Sequence, residues 1–200
     1  MSKKNLGIGE MIKLGLTLVC YAVASCAVLA VVNNITAPQI QKNQMGAAAK
    51  AMSEVFVEAD DFVTVSNAPA SSNSTITVSD FYLAKKGGSV IGAVVQVAGP
   101  TYDKGKLIVG IDKSGTVSGM RILELSDSPG FGLKANDPTF KLPSGVTFYD
   151  QFAGKDAKNG FKINDNFDAI TGATITSNAI GDLMTEGTSC LLKVLEGINE

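Results

Sequence analysis

The chain has no histidine and no tryptophan among its 200 residues. Without imidazole there is no histidine acid–base catalysis, no histidine-containing triad and no histidine-ligated haem or zinc. Cysteine is scarce too: only Cys20, Cys26 and Cys190 occur. Two lie in an apolar run and one near the C-terminus, so there is no C-x-x-C pair. Three thiols fall short of the roughly four ligands an iron–sulfur cluster takes, and each reads as a small buried apolar residue. A net charge of −2 offers no basic surface of the kind nucleic acid demands. Neither a G-x-x-x-x-G-K-[S/T] phosphate loop nor a G-x-G-x-x-G nicotinamide fingerprint is present.

What is present begins with residues 14–32, an apolar and small-residue run without a charge. Its length approaches the ~20 residues a helix needs to cross a bilayer. Lys3, Lys4 and Lys13 precede it, and the next lysine is Lys42. Positive charge on the N-terminal side predicts a cytoplasmic N-terminus and an external remainder. Val23-Ala24-Ser25-Cys26 also resembles a lipoprotein cleavage box. The apolar run, however, continues through residues 27–32, as a spanning helix requires and a lipidated mature end does not. Gly7, Gly9, Gly15, Ala22 and Ser25 offer small surfaces for close helix packing, or mark nothing beyond a plain anchor. The domain plan is a cytoplasmic segment (1–13), a transmembrane helix (14–35), a membrane-proximal helix (36–58) opened by Pro38, and an external domain (59–200). In the second helix Met45, Ala49, Met52 and Phe56 recur at helical spacing.

Residues 67–74 are a Ser/Asn/Pro/Ala-rich loop. Beyond them the apolar period changes to two, and strands are predicted at 75–78, 81–85, 90–97, 106–111 and 116–125. Lys86-Gly87-Gly88-Ser89 and Asp112-Lys113-Ser114-Gly115 read as hairpin turns. The result is an antiparallel meander with one face covered by helices. Residues 126–166 are irregular, and 147–152 fit a short helix or a strand equally. Ile180, Leu183, Met184, Leu191, Leu192 and Leu195 share one face of a closing helix. The fold class is therefore α+β: one N-terminal transmembrane helix, then an antiparallel-sheet domain packed with helices.

Just before the closing helix stands Asp168-Ala169-Ile170-Thr171-Gly172-Ala173-Thr174-Ile175-Thr176-Ser177. On the residues alone it reads in two ways. It is an anion seat at a helix N-terminus, where unpaired N–H groups gather. Equally, it is a glycine turn with Thr176 or Ser177 as an ordinary cap.

Asp168, Thr171, Gly172, Ala173 and Thr174 match D-x-x-[S/T]-G-A-T, which resembles the covalent-flavin attachment motif of the FMN-binding domain family. Asp127-Ser128-Pro129-Gly130-Phe131-Gly132 resembles that family's E-T-P-G-L-G loop, with Asp127, Ser128 and Phe131 replacing Glu, Thr and Leu. With one apolar N-terminal segment, the two motifs resemble the G-subunit family of Rnf-type complexes. Those are membrane-bound, ion-pumping ferredoxin:NAD oxidoreductases related to the sodium-pumping NADH:quinone oxidoreductase through its C subunit.

The resemblance implies an FMN-binding domain with FMN joined covalently to Thr174 through a phosphoester. It implies that Thr171, Gly172 and Ala173 bring backbone N–H groups to the phosphate. Gly130 and Gly132 would allow close backbone approach, Phe131 and Leu133 would supply apolar wall, and Ser128 and Asp127 would hydrogen-bond the flavin. Tyr102 contacts the ring or is a plain core residue. Asp168 helps dock the attaching enzyme or takes a proton, or else caps the Thr171–Gly172 turn. No residue is assigned direct catalysis and no metal site is expected. Since the chain lacks its own nucleotide loop, a separate flavin transferase using FAD and Mg²⁺ is implied. The other implied partners are membrane and peripheral subunits of the complex and membrane lipid. A lone flavin without a second redox centre reads as an electron relay on the outer face of a bacterial cytoplasmic membrane, inactive as an isolated subunit. The alternatives are a stand-alone extracellular flavin carrier, anchored in the membrane or by lipid at Cys26, and a cofactor-free surface binding module.

Overall fold

The computed structural model describes residues 7–66 and 69–199. The chain divides into two compact units, residues 1–46 and 47–200. Lys3 and Lys4, used above to orient the chain, lie outside the described residues, as do Asn67 and Ala68 of the predicted loop.

The first unit is helical throughout its described length, within α1 (Ile8–Val55). The apolar stretch of α1 has the length and composition to cross a membrane, and none of it is buried within the chain. Cys20 and Cys26 are exposed on it, which corrects their reading as buried residues: none of this apolar stretch is buried among the described residues. Pro38 lies inside α1 and does not open a second helix. Its missing N–H leaves one carbonyl without a helical partner, but the stretch is exposed, and the Ala- and Gln-rich residues beyond sustain the helix.

The second unit begins with the last turns of α1, where Ala48, Ala51, Met52 and Val55 are buried. Five strands follow: β1 (Asp61–Thr64), β2 (Thr77–Lys86), β3 (Ser89–Gly99), β4 (Gly105–Asp112) and β5 (Val117–Leu125). They pair in sequence order, all antiparallel. β1 was not expected. Two predicted strands merge into β2 across a register shift between Ser79 and Tyr82, where Asp80 takes φ 50°. Gly87 and Gly88, at φ 56° and 81°, make the two-residue turn between β2 and β3. α2 (Thr174–Asn199) closes the fold.

Both faces of the sheet are covered, not one. Ala93, Val95 and Val97 of β3 and Leu107, Val109 and Ile111 of β4 share a core with Ile180, Leu183, Met184 and Leu191 of α2. That core extends to Phe148, Phe152, Phe161 and Phe167, whose rings pack edge-on or tilted. Cys190 is buried there, and desolvation pushes its thiol pKa up. The intervening residues Val94 and Ile108 point the other way, with Ala84, onto Ala51, Met52, Val55 and Phe56. Two-sided burial explains the nearly unbroken apolar run of β3. Residues 150–152 form a 3₁₀ turn, which resolves the 147–152 ambiguity.

The last turns of α1 are thus part of the second unit's core. Met52, Val55 and Phe56 are 9%, 2% and 6% exposed, and each is worth roughly 1.5–3 kcal/mol of burial. A chain truncated to begin at Ala47 is expected to unfold cooperatively as a soluble monomer. One beginning at Ala59 loses about 5 kcal/mol or more by the same reckoning, and is expected to aggregate or melt at much lower temperature. Equal thermal midpoints in calorimetry would contradict this packing.

Candidate functional site

Three segments converge at the entry to α2. The first is the loop joining β3 to β4, residues 100–104. The second runs from the end of β5 into a 3₁₀ turn at Gly132–Asn136. The third is residues 170–176, ending in the first turn of α2. Between them lies a cavity of about 480 Å³, within the ~300–1,000 Å³ range of small-molecule sites. Tyr102 lines it from the first segment, Ser128, Phe131 and Gly132 from the second, and residues 172–176 from the third. Tyr102, Phe131 and Ile175 are 66%, 57% and 62% exposed. These three large apolar groups stand open around one hollow, an unusual expense for a small domain with nothing to bind.

The third segment shows why the sequence turns here. Gly172 sits at φ +81°, and a Cβ on it would lie 3.3 Å from Phe131 Cδ1. Only glycine takes this backbone angle freely and leaves room for the ring. The Ser177 hydroxyl accepts from the Ile170 N–H at 3.1 Å and donates to the Ala173 carbonyl at 3.0 Å. The Thr176 hydroxyl donates to Asp127 Oδ2 at 2.5 Å. Neither side chain caps the helix, so the cap expectation is corrected. The first helical bond across the boundary is Ser177 N–H to the Ala173 carbonyl. The N–H groups of Thr174, Ile175 and Thr176 find no acceptor among the described residues. Thr174 is the first residue of α2, is exposed and lines the cavity, and its hydroxyl makes no hydrogen bond among the described residues.

Asp127 lies behind this wall at 3% exposure. Its Oδ1 accepts from Thr101 Oγ1 at 2.6 Å and from the Asp103 N–H at 3.0 Å. Its Oδ2 accepts from Thr176 Oγ1 and, at 3.4 Å, from the Tyr102 N–H. Gly132 lets the segments meet: a Cβ there would stand 2.6 Å from Thr176 Oγ1 and 2.8 Å from Asp127 Oδ2. Burial alone would raise the Asp127 pKa, but hydrogen bonds from Thr101, Thr176, Asp103 and Tyr102 outweigh it and hold the carboxyl below its ordinary range.

The structure therefore brings Tyr102, Ser128, Phe131, Gly132, Gly172, Ala173 and Thr174 together around the cavity. It does not bring five other expected residues to the wall. Asp127 is turned inward. Gly130 is a turn residue at φ 78° with nothing near its missing Cβ. Leu133 is partly buried off the cavity. Thr171 is exposed beside it. Asp168 is exposed and held by its backbone: its N–H donates to Gln151 Oε1 at 2.8 Å and its carbonyl accepts from Gln151 Nε2 at 3.2 Å. Its carboxylate makes no hydrogen bond among the described residues, so it does not cap the Thr171–Gly172 turn. The sequence reading missed Ile175 and Thr176 as wall residues and Thr101 as a partner of Asp127. An apolar residue in the exposed first turn was a signal for Ile175; pairings across 26 and 49 positions leave no local trace.

Comparison with known proteins fits this geometry. Residues 102–188 match the FMN-binding domain model, a span that holds every lining residue of the cavity. Residues 1–55 match the RnfG N-terminal region. The class is thus an FMN-binding domain carried behind an apolar N-terminal helix. A relative from Acetobacterium woodii, the G subunit of the Na⁺-translocating ferredoxin:NAD⁺ oxidoreductase complex, is 32% identical over 94% of this chain and 93% of its own length. The G subunits of the ion-translocating oxidoreductase complexes of Escherichia coli O157:H7 and Vibrio vulnificus are 31% and 29% identical, each over 84% of this chain. The chain belongs to the G-subunit family of Rnf-type ion-translocating oxidoreductase complexes, and is a single-pass membrane protein.

The Asp127 carboxylate gives a pH signature. Because its native pKa is lowered from 3.8, its contribution is present in full above that unfolded value and lost as pH falls through the lower native one. The stability gap between the parent and Asp127→Asn should therefore be constant at neutral pH and shrink progressively below about pH 4. A gap unchanged down to pH 2 in denaturant titrations would contradict the buried, ionised state.

Proposed function

We propose that this chain is the electron-relay subunit of an Rnf-type complex and carries FMN on Thr174 through a phosphoester. The observation that carries the reading is the coincidence, at one cavity mouth, of an exposed threonine hydroxyl, an uncapped helix N-terminus and an open ring of Tyr102, Phe131 and Ile175.

The residues suit the group. A phosphate esterified on both sides has one ionisable oxygen and so one negative charge. Among the described residues no lysine or arginine lines the cavity. The first turn of α2 offers three free N–H groups and the positive end of its dipole, about half an elementary charge. That is suited to a singly charged diester and poorly suited to a free dianion. The aromatic and aliphatic side chains supply the apolar wall a flavin ring requires, and Ser128 supplies a polar edge. FMN, when attached, supplies the redox chemistry. The chain's own residues would hold the phosphate at the first turn of α2 and wall the ring with Tyr102, Phe131 and Ile175.

Attachment joins Thr174 Oγ to phosphorus as the FAD pyrophosphate bond breaks and AMP departs. The hydroxyl proton goes to a base. The sequence has no nucleotide-binding loop to present FAD, and a separate Mg²⁺-dependent flavin transferase would supply the base and the metal. The exposed Asp168, six residues upstream, is placed to be touched by that enzyme. The N-terminus is on the cytoplasmic side and the FMN domain on the outer face, where a tethered cofactor is not lost by diffusion. Other subunits of the complex are the donor and acceptor of its electrons.

Protein produced with a flavin transferase is expected to gain the mass of one FMN less water, mapped to the Thr174 peptide and abolished by Thr174→Ala. An unmodified chain, beside a control flavoprotein labelled in the same cells, would overturn the attachment and favour a cofactor-free binding module. In spheroplasts, external protease should remove residues beyond the apolar helix and spare the N-terminus; the reverse pattern would overturn the outer-face assignment.

A further inference from the structure

Asp127 was expected at the flavin ring's edge, yet the structure turns it away. Both carboxylate oxygens are saturated by two donors each, all from inside the protein. The residue is almost fully buried, and no lysine or arginine pairs with it among the described residues. Its donors come from two segments, Thr101 to Asp103 before β4 and Thr176 in the first turn of α2, while Asp127 itself leads into Phe131 and Gly132. These are the three segments that wall the cavity. Building on the FMN reading above, we propose that Asp127 is the positioning residue of that site, a carboxylate clasp that sets Tyr102, Phe131 and Thr174 against one another without touching flavin.

The geometry gives the clasp a defined reach. α2 is secured farther along by Ile180, Leu183 and Met184, each 1% exposed or less. Releasing Thr176 therefore loosens the first turn, which bears Thr174, and leaves the helix in place. On the other side, the Tyr102 and Asp103 amides are held in the loop by the carboxylate. Releasing them frees Tyr102 to swing. Gly132 packs against both partners of the Thr176–Asp127 bond, at distances that a single methyl group would close. Among the described residues the Thr101 and Thr176 hydroxyls donate to the Asp127 carboxylate and to no other acceptor, so neither bond has a ready substitute once the carboxylate is gone.

The test uses the full-length chain in detergent, with Asp127→Asn, Thr176→Val, Thr176→Ser and the Asp127→Asn/Thr176→Val pair, all compared where near-ultraviolet dichroism reports a folded domain. Two quantities are read: hydrogen exchange at the Tyr102 and Asp103 amides of flavin-free protein, and the rate at which a flavin transferase loads Thr174 from FAD. Asp127→Asn, whose carboxamide keeps one acceptor oxygen and replaces the other by a donor, should speed exchange at least tenfold at one of the two amides, the one left facing the NH2 group. Thr176→Val should lower the maximal loading rate at least tenfold with little change in the transferase's KM, because docking persists while the hydroxyl is misplaced. Thr176→Ser, which keeps the donor, should restore the rate, and the pair should load no slower than the slower single variant. Loading of folded Thr176→Val at the parent rate, additive losses in the pair, or parent-like exchange in Asp127→Asn would overturn the proposal. If Asp127→Asn fails to fold, the Val–Ser contrast at Thr176 decides alone. If the parent itself takes no FMN, the FMN reading fails, and exchange in the flavin-free chain still decides the clasp.

Discussion

The N-terminus of α2 is left electrically open, and the site depends on that. A helix normally finds a side-chain oxygen for its first N–H groups. Here the N-cap position is Ala173, which has no side-chain acceptor, and the neighbouring hydroxyls are engaged elsewhere, Ser177 in the preceding turn and Thr176 on Asp127. Three donors find no acceptor among the described residues, beside a threonine hydroxyl. An exposed first turn can tolerate this in water, since solvent meets the donors. A helix end left in this state can also receive an anion in place of the water. The same carboxylate that draws Thr176 away also fixes the loops of Tyr102 and Phe131, so the open helix end and the walls facing it are set by one group.

That arrangement needs a rigid floor, which the five-stranded sheet provides. Its residues alternate between two cores, one under α2 and one under the last turns of α1. Two covered faces leave little freedom for β3, β4 and β5, the strands whose ends launch the wall loops. The functional residues are therefore loop residues on a fixed scaffold, while the apolar part of α1 is free of the domain's core and available for a bilayer.

Much of this was legible because the determining patterns are local. The period-two runs located β3, β4 and β5, the Gly87–Gly88 pair located a hairpin, and the spacing of Ile180, Leu183 and Met184 located the buried face of α2. Residues 172–174 were singled out by resemblance to a known motif, and they line the cavity. What was not legible depends on distant partners. β1 is four residues of which only Phe62 and Val63 are apolar, and it exists by pairing with β2. β2 crosses a bulge at Asp80 that breaks its period. Pro38 suggested a break that its exposed surroundings do not enforce. Asp127 was expected to bond the flavin from its place in the loop that resembles E-T-P-G-L-G; only three-dimensional proximity to Thr101 and Thr176 reveals where its oxygens point.

The most direct test of the account is a map of backbone amide chemical shifts in the unit beginning at Ala47, before and after FMN loading. The account predicts the largest changes at the N–H groups of Thr174, Ile175 and Thr176, where the phosphate settles, and at Tyr102, Phe131 and Gly132, where the ring lies. Changes limited to Thr174, with the flavin tumbling freely, would contradict a built site. Changes clustered on a different face of the domain would contradict its placement.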